Sequence, residues 1–151
     1  MTDRETGFRL HQEYVLDAPI ERVFAAFTEP TELARWWGPR GFTTPEIDLE
    51  LRVGASYRFT MQPPEGAPFH LSGDFVGLER PSSLTFTFCW DEPDPDDRET
   101  VVALSLRSAD GATIVSLSHG EFATEGRLEL HRSGWTESFE KLAAVLRAGN
   151  P

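Results

Sequence analysis

The chain has 151 residues, 39% of them hydrophobic and 26% charged, a length and composition that suit one globular domain. Its net charge of −11 and its scattered arginines disfavour nucleic acid as a partner. The single cysteine, Cys89, excludes an intrachain disulfide. We expect a cytoplasmic protein without membrane insertion, because no apolar run approaches the roughly 20 residues that span a bilayer and segment 1–10 shows no secretory signal.

The first quarter of the chain predicts one strand followed by two short helices. Residues 8–17 alternate apolar and polar side chains, as a half-buried strand does. Residues 18–27 carry an apolar stripe at helical spacing. A second short helix is predicted over 30–37, and Gly38-Pro39 should end it because proline cannot continue the hydrogen-bond ladder.

The middle of the chain predicts six strands joined by turns that are too short for parallel crossovers, so the sheet should be antiparallel. In the clearest of them Leu84, Phe86, Phe88 and Trp90 share one face. The acidic run Asp91 to Glu99 is interpreted as a solvated loop. The predicted strands are 46–53, 56–62, 69–79, 82–91, 100–107 and 112–122.

A long helix is predicted from about Glu125 to Leu146, because seven side chains recur at three- and four-residue steps. Gly134 interrupts this stripe at a cost of roughly 1 kcal/mol relative to alanine, which indicates close approach of another element or space left over the helix. The fold class is therefore α+β in one domain, 1–151: a curved antiparallel sheet wrapped around the last helix, with two short helices at one end. The stripe consists of Leu128, His131, Trp135, Phe139, Leu142, Val145 and Leu146.

Five segments in the same order resemble the domain family named after the C-terminal domain of the activator of the heat-shock protein 90 ATPase. They are "DAPIERVFAAFTEPTELARWWGP", "LRVGASYRFTM", "SSLTFTFCWD", "TIVSLSHGEF" and "HRSGWTESFEKL". That family belongs to the START-like, or SRPBCC, superfamily, which includes the birch-pollen-allergen-like proteins. The resemblance implies a helix-grip fold, in which the sheet holds the C-terminal helix, and an apolar cavity between the two.

Two departures from the family pattern matter. This chain has Gly54-Ala55 where family members often have Gly-Gly. Eukaryotic chaperone activators also carry a separate N-terminal domain, for which 151 residues occupied by one fold leave no room. The family name is therefore not taken as the function, although a chaperone remains a possible partner.

The candidate cavity residues are mostly aromatic, and each could instead serve the core, since both core and ligand pockets are rich in such side chains. Trp36 and Trp37 point about 100° apart on a helix, so we expect one to fill the core and the other to line the cavity mouth. Trp37, which adjoins Gly38-Pro39, is favoured as the gate. The aromatic candidates are Trp36, Trp37, Phe42, Tyr57, Phe59, Phe86, Phe88, Trp90 and Trp135.

Two of the four histidines are further cavity candidates. His131 lies on the apolar stripe of the long helix and His119 on an apolar strand face, whereas His11 and His70 are expected to be exposed. The simpler interpretation of the first two is a buried ring that bonds a backbone carbonyl. The alternative is that both reach the cavity, as hydrogen-bonding groups or as a general acid and base.

No residue is assigned a catalytic, metal-binding or cofactor-binding role. Cys89 lies on the strand face opposite Phe88, and no histidine or cysteine pair has typical metal-ligand spacing. The expected function is binding of a small apolar or aromatic ligand between sheet and helix. The alternatives are an enzyme of the polyketide cyclase or hydrolase type in the same cavity, and a chaperone-interacting regulator; a homodimer is also possible.

Overall fold

The computed structural model describes residues 8–148. Residues 1–7 and 149–151 lie outside the described part. Both ranges belong to the predicted domain 1–151, and residues 1–7 are part of the segment from which we predict no secretory signal. None of the helices described here is long and apolar enough to cross a membrane.

Within residues 8–148, the order of elements agrees with the predicted one: a strand, two short helices, six strands and a long helix. The strands are β1 (Phe8–Leu16), β2 (Thr43–Leu49), β3 (Ser56–Gln62), β4 (Phe69–Glu79), β5 (Ser83–Trp90), β6 (Thr100–Ala109) and β7 (Ala112–Phe122). The helices are α1 (Ile20–Thr28), α2 (Pro30–Leu33) and α3 (Glu125–Arg147).

All seven strands form one antiparallel sheet in the order β1-β7-β6-β5-β4-β3-β2. The register aligns the apolar face from strand to strand, with Phe86 opposite Val102 and Leu104 opposite Leu117. Since side chains alternate between faces, this register places one continuous apolar surface against the long helix. The predicted helix-grip fold is confirmed.

The sheet bends along the antiparallel pair β4–β5. The register shifts between Phe75 and Gly77, as a β-bulge requires, and such irregularities bend a strand. At Gly73 a Cβ atom would lie 2.0 Å from the carbonyl oxygen of Thr87, so only glycine permits this approach. The bend curves β3, β4 and β5 away from a flat plane.

Helix α3 lies mainly over β1 and β7, at one side of the curved sheet. Thr124 caps its N-terminus by accepting a hydrogen bond from the Arg127 N–H, and the predicted stripe is buried at Trp135, Phe139 and Leu142. Because the helix packs towards β1 and β7, a space remains between its first half and β3–β5.

Two elements, α2 and β2, differ from their predicted ranges by more than two residues. The α2 helix ends at Leu33 rather than at residue 37, although Trp37 N–H still donates to the Leu33 carbonyl over 2.9 Å. Strand β2 occupies 43–49 rather than 46–53, because a turn closed by the bond from Ala55 N–H to the Arg52 carbonyl takes its last residues out of the sheet.

Candidate functional site

A cavity of about 570 Å³ fills the space between the first half of α3 and strands β3–β5. Its third side is the segment 37–42, which follows α2. A volume in this range suits a ligand the size of a small drug. Helix, sheet and connecting segment therefore enclose one candidate site.

Six phenylalanine and tryptophan rings and two histidines line the cavity. The structure places six of the sequence-predicted residues there: Trp37, Phe42, Phe88, Trp90, His131 and Trp135. Met61 and Phe69 also line the wall. Neither was a candidate, although the alternation of β3 and β4 puts both on the face that carries Phe59 and Leu71.

The two adjacent tryptophans have different surroundings. Trp36 is fully buried, donates a 2.9 Å hydrogen bond from Nε1 to the Ala26 carbonyl, and packs edge-on against Phe27. Trp37 stands edge-on to Trp135, with 5.4 Å between ring centroids, and borders the cavity. Trp36 therefore fills the core behind α1, and whether Trp37 acts as a gate stays a prediction.

The other five sequence-predicted residues do not line the cavity: Trp36, Tyr57, Phe59, Phe86 and His119. Tyr57 packs against Phe59 and Phe86 at centroid distances of 5.0 and 5.6 Å, and its hydroxyl donates to the Thr87 carbonyl over 2.6 Å. Burial raises the pKa of this hydroxyl far above its usual range. Tyr57, Phe59 and Phe86 lie on the face of the sheet that borders the cavity. Their contacts through Tyr57 bury these rings in the core.

His119 lies behind the cavity wall and is completely buried. Its Nδ1 accepts a 3.0 Å hydrogen bond from Trp135 Nε1, so in the neutral ring Nε2 carries the proton and donates to Thr100 Oγ1 at 2.8 Å. Thr100 Oγ1 in turn donates to the Phe88 carbonyl over 3.3 Å. Burial, with the positive charge available to His131 and Arg9, lowers the pKa of His119 well below its ordinary value.

The hydrogen bonds of His119 correct the interpretation that it bonds a backbone carbonyl or reaches the cavity. Its partners are side chains, and both ring nitrogens are occupied. It holds the indole of Trp135, which forms part of the cavity wall. His119 therefore cannot act on a ligand directly.

His131 borders the cavity, one helical turn before Trp135. Its Nδ1 lies 2.9 Å from the Arg127 carbonyl, and because a carbonyl can only accept, Nδ1 carries a proton. The ring stacks on Phe122 with 4.7 Å between centroids. Burial is the main cause that lowers the pKa of His131, so the ring is neutral at neutral pH.

The cavity wall at 38–42 is fastened to α3 by the chain's single lysine. Lys141 Nζ donates to the carbonyls of Gly38, Pro39 and Phe42 at 3.0, 3.4 and 3.4 Å. Burial lowers the pKa of Lys141. Arg40 adds an ion pair with Glu140, so this wall is tied to the helix at several points.

The acidic segment after β5 is more than the solvated loop that the sequence predicts. Arg127 of α3 pairs with Asp94, Asp96 and Asp97 at 2.5, 3.1 and 3.3 Å. This fastens the loop over the start of the helix, and Asp94 and Asp97 thereby reach the cavity rim. The high local charge predicts solvation, whereas the arginine that pairs with three of its carboxylates is distant in sequence.

Two other expectations concern the rim and the outer face of the sheet. His70, expected to be exposed, is half-buried and borders the cavity. Cys89 faces the opposite side of the sheet, as predicted, and burial raises the pKa of its thiol. Among residues 8–148 no three histidine, cysteine, aspartate or glutamate side chains are grouped as a metal site would need.

Comparison with solved structures shows the same fold over nine-tenths or more of the chain. The AHSA1 protein from Silicibacter pomeroyi is 32% identical, with a TM-score of 0.81, and the match covers 94% of this chain and 99% of that one. A protein from Chromobacterium violaceum is 25% identical, with a TM-score of 0.82 and coverages of 90% and 94%. CalU16 from Micromonospora echinospora is also 25% identical, with a TM-score of 0.66 and coverages of 90% and 73%.

Sequence comparison gives the family directly. No curated protein shows significant similarity to the chain. The family model described as Activator of Hsp90 ATPase homolog 1-like protein matches residues 17–147, which include both short helices, six of the seven strands and the long helix. The chain therefore belongs to the Activator of Hsp90 ATPase homolog 1-like family.

Proposed function

We propose that the protein binds a small apolar or aromatic ligand in the cavity between α3 and β3–β5. The observation that carries this proposal is the cavity itself: about 570 Å³, with a wall of aromatic rings on three sides. Rings that served the core alone would pack against one another as interiors do, whereas these rings border an open cleft. The family's fold, which is a ligand-binding one, supports the same conclusion.

Burial of ligand surface would supply the binding free energy. Apolar surface contributes roughly 25 cal/mol per Å² removed from water, before the costs of ordering are subtracted. The rigid attachment of segment 38–42 through Lys141 lowers those costs, since this wall is already positioned. Apolar burial against a preformed wall is thus sufficient to hold the guest non-covalently.

The test is binding of N-phenyl-1-naphthylamine, a fluorescent apolar probe, to the wild type and to two alanine variants. Trp135→Ala removes a wall residue and should lower the affinity while the protein remains folded. Phe75→Ala is the matched control. Phe75 is as buried as Trp135, each with 5% of its surface exposed, but it lies away from the cavity. Equal affinities of all three folded proteins would contradict the assigned pocket.

Regulation of a chaperone ATPase is a second candidate, and the family description is the observation that favours it. It predicts that the purified protein stimulates an Hsp90 ATPase at micromolar concentration. A rate unchanged by the protein removes this candidate and leaves ligand binding as the proposed function.

A further inference from the structure

The charges around the cavity restrict the ligands that it can hold. Among the described lining residues, Arg127 is the one permanently cationic side chain, and Asp94, Asp96 and Asp97 all pair with it. Glu92 and Glu137 add negative charge to the rim. A carboxylate or sulfate group on a ligand would therefore meet like charge and find no available cation among these residues.

Neighbouring cations do not change this balance. Lys141 is occupied by the backbone carbonyls of segment 38–42, and Arg40 is held by Glu137 and Glu140. Both side chains stabilise the wall from behind rather than project into the cavity, whose lining includes neither. An anionic guest would lose its hydration without gaining a partner, which is costly in an apolar site.

His131 provides one hydrogen-bond acceptor at the aromatic wall. Because Nδ1–H is bonded to the Arg127 carbonyl, the neutral ring carries its lone pair on Nε2. Nε2 has no hydrogen-bond partner among residues 8–148 and is not among their fully buried atoms, so part of its surface is accessible on a ring that lines the cavity. His119 cannot satisfy it, since both nitrogens of His119 are already bonded.

We infer that the cavity selects an aromatic molecule that is neutral or positively charged and carries a hydroxyl or ammonium group, whose proton Nε2 of His131 accepts. This inference rests on the proposed function and names the chemical class of its ligand. The aromatic wall binds the ring system, His131 orients it, and the carboxylates of the rim exclude anions. No covalent step is involved.

Four naphthalenes that differ in one substituent test this selectivity: 2-naphthol, 2-methoxynaphthalene, 2-naphthylmethylammonium and 2-naphthoate. Their dissociation constants are measured by calorimetry at neutral pH, and indole N–H signals in NMR spectra show whether Trp37 and Trp135 sense the ligand. We expect naphthol to bind about three- to tenfold more tightly than its methyl ether, the range of one hydrogen bond. The ammonium compound should bind comparably to naphthol, and naphthoate at least roughly tenfold more weakly, since its charge meets the rim unpaired.

The variant His131→Phe keeps a ring at this position and removes the acceptor. It should reduce the affinity for 2-naphthol to that for 2-methoxynaphthalene. The affinity for the ether itself should stay unchanged. Naphthoate binding as tightly as naphthol, or naphthol and its ether binding equally to the wild type, would overturn the inference while the proposed pocket stood. Failure of all four compounds to bind or to shift the indole signals would overturn the pocket as well. The comparison within the wild type decides the matter even if the variant does not fold.

Discussion

The two halves of α3 face the same sheet, yet one half is packed and the other borders a cavity. In the second half Phe139 stacks on Tyr14 with 3.9 Å between centroids, and Leu142 is fully buried. In the first half Ser133 and Gly134 face the open space next to Trp135. The difference has two causes. The helix lies towards β1 and β7, where large side chains fill the space, and Ser133 and Gly134 leave the side towards β3–β5 open.

The largest difference should appear when one ring is deleted from the packed half of α3 and one from the cavity wall that faces the first half. Phe139→Ala removes a ring that is 1% exposed, and we expect a loss of about 3–5 kcal/mol in the free energy of unfolding. Phe42→Ala removes a half-buried ring from the cavity wall and should cost about 1–2 kcal/mol, since that ring already borders empty space. Denaturant unfolding of both variants measures the contrast, and equal losses would contradict it.

The pH dependence of stability tests the buried histidine pair at the wall. The pKa values of His119 and His131 are both lowered in the folded state, so the unfolded chain binds their protons first as the pH falls. The contribution of these two rings should therefore be constant above about pH 7 and fall below about pH 6.5, by up to roughly 1.4 kcal/mol per pH unit for each histidine.

Denaturant unfolding between about pH 7.5 and pH 5 measures this slope, in a range above the titration of most carboxyl groups. His119→Gln should reduce the slope because it removes one of the two protons. An unchanged slope in this variant would show that the buried ring does not carry the effect.

The smallest effect concerns Gly134, where the two halves of α3 meet. A Cβ atom at this position would have Pro39 Cγ as its nearest neighbour at 3.8 Å, an ordinary contact. Gly134→Ala should therefore stabilise the protein by up to about 1 kcal/mol through helix propensity alone. Thermal unfolding checks this, and a destabilised variant would mean that the helix needs glycine for close approach rather than for open space.

The sequence predicted the fold well because its patterns are local. Period-two alternation in β5 and the three- and four-residue spacing of α3 each follow from a few neighbouring side chains, and both are found as predicted. The interruption at Gly134 predicts either close approach of another element or open space over the helix, and the structure places the glycine at the cavity. Local patterns thus identified the elements and one feature of the site.

The division between core and cavity was not predictable because it depends on curvature and on distant contacts. Phe86 and Phe88 share one strand face, yet Phe86 packs against Tyr57 of β3 whereas Phe88 borders the cavity. His119 bonds Trp135 across sheet and helix, a pairing that no spacing in the sequence reveals. The acidic loop is fastened by Arg127, some 30 residues away, for the same reason.

One measurement tests the central claim most directly: binding of N-phenyl-1-naphthylamine to Gly134→Leu, with Gly134→Ala as the control. Leucine is a good helix former and its side chain would project into the cavity, so the variant should fold and lose most of its affinity for the probe. The alanine variant should bind nearly as the wild type does. Undiminished binding to a folded Gly134→Leu protein would contradict the account, because the probe would then occupy some other part of the molecule.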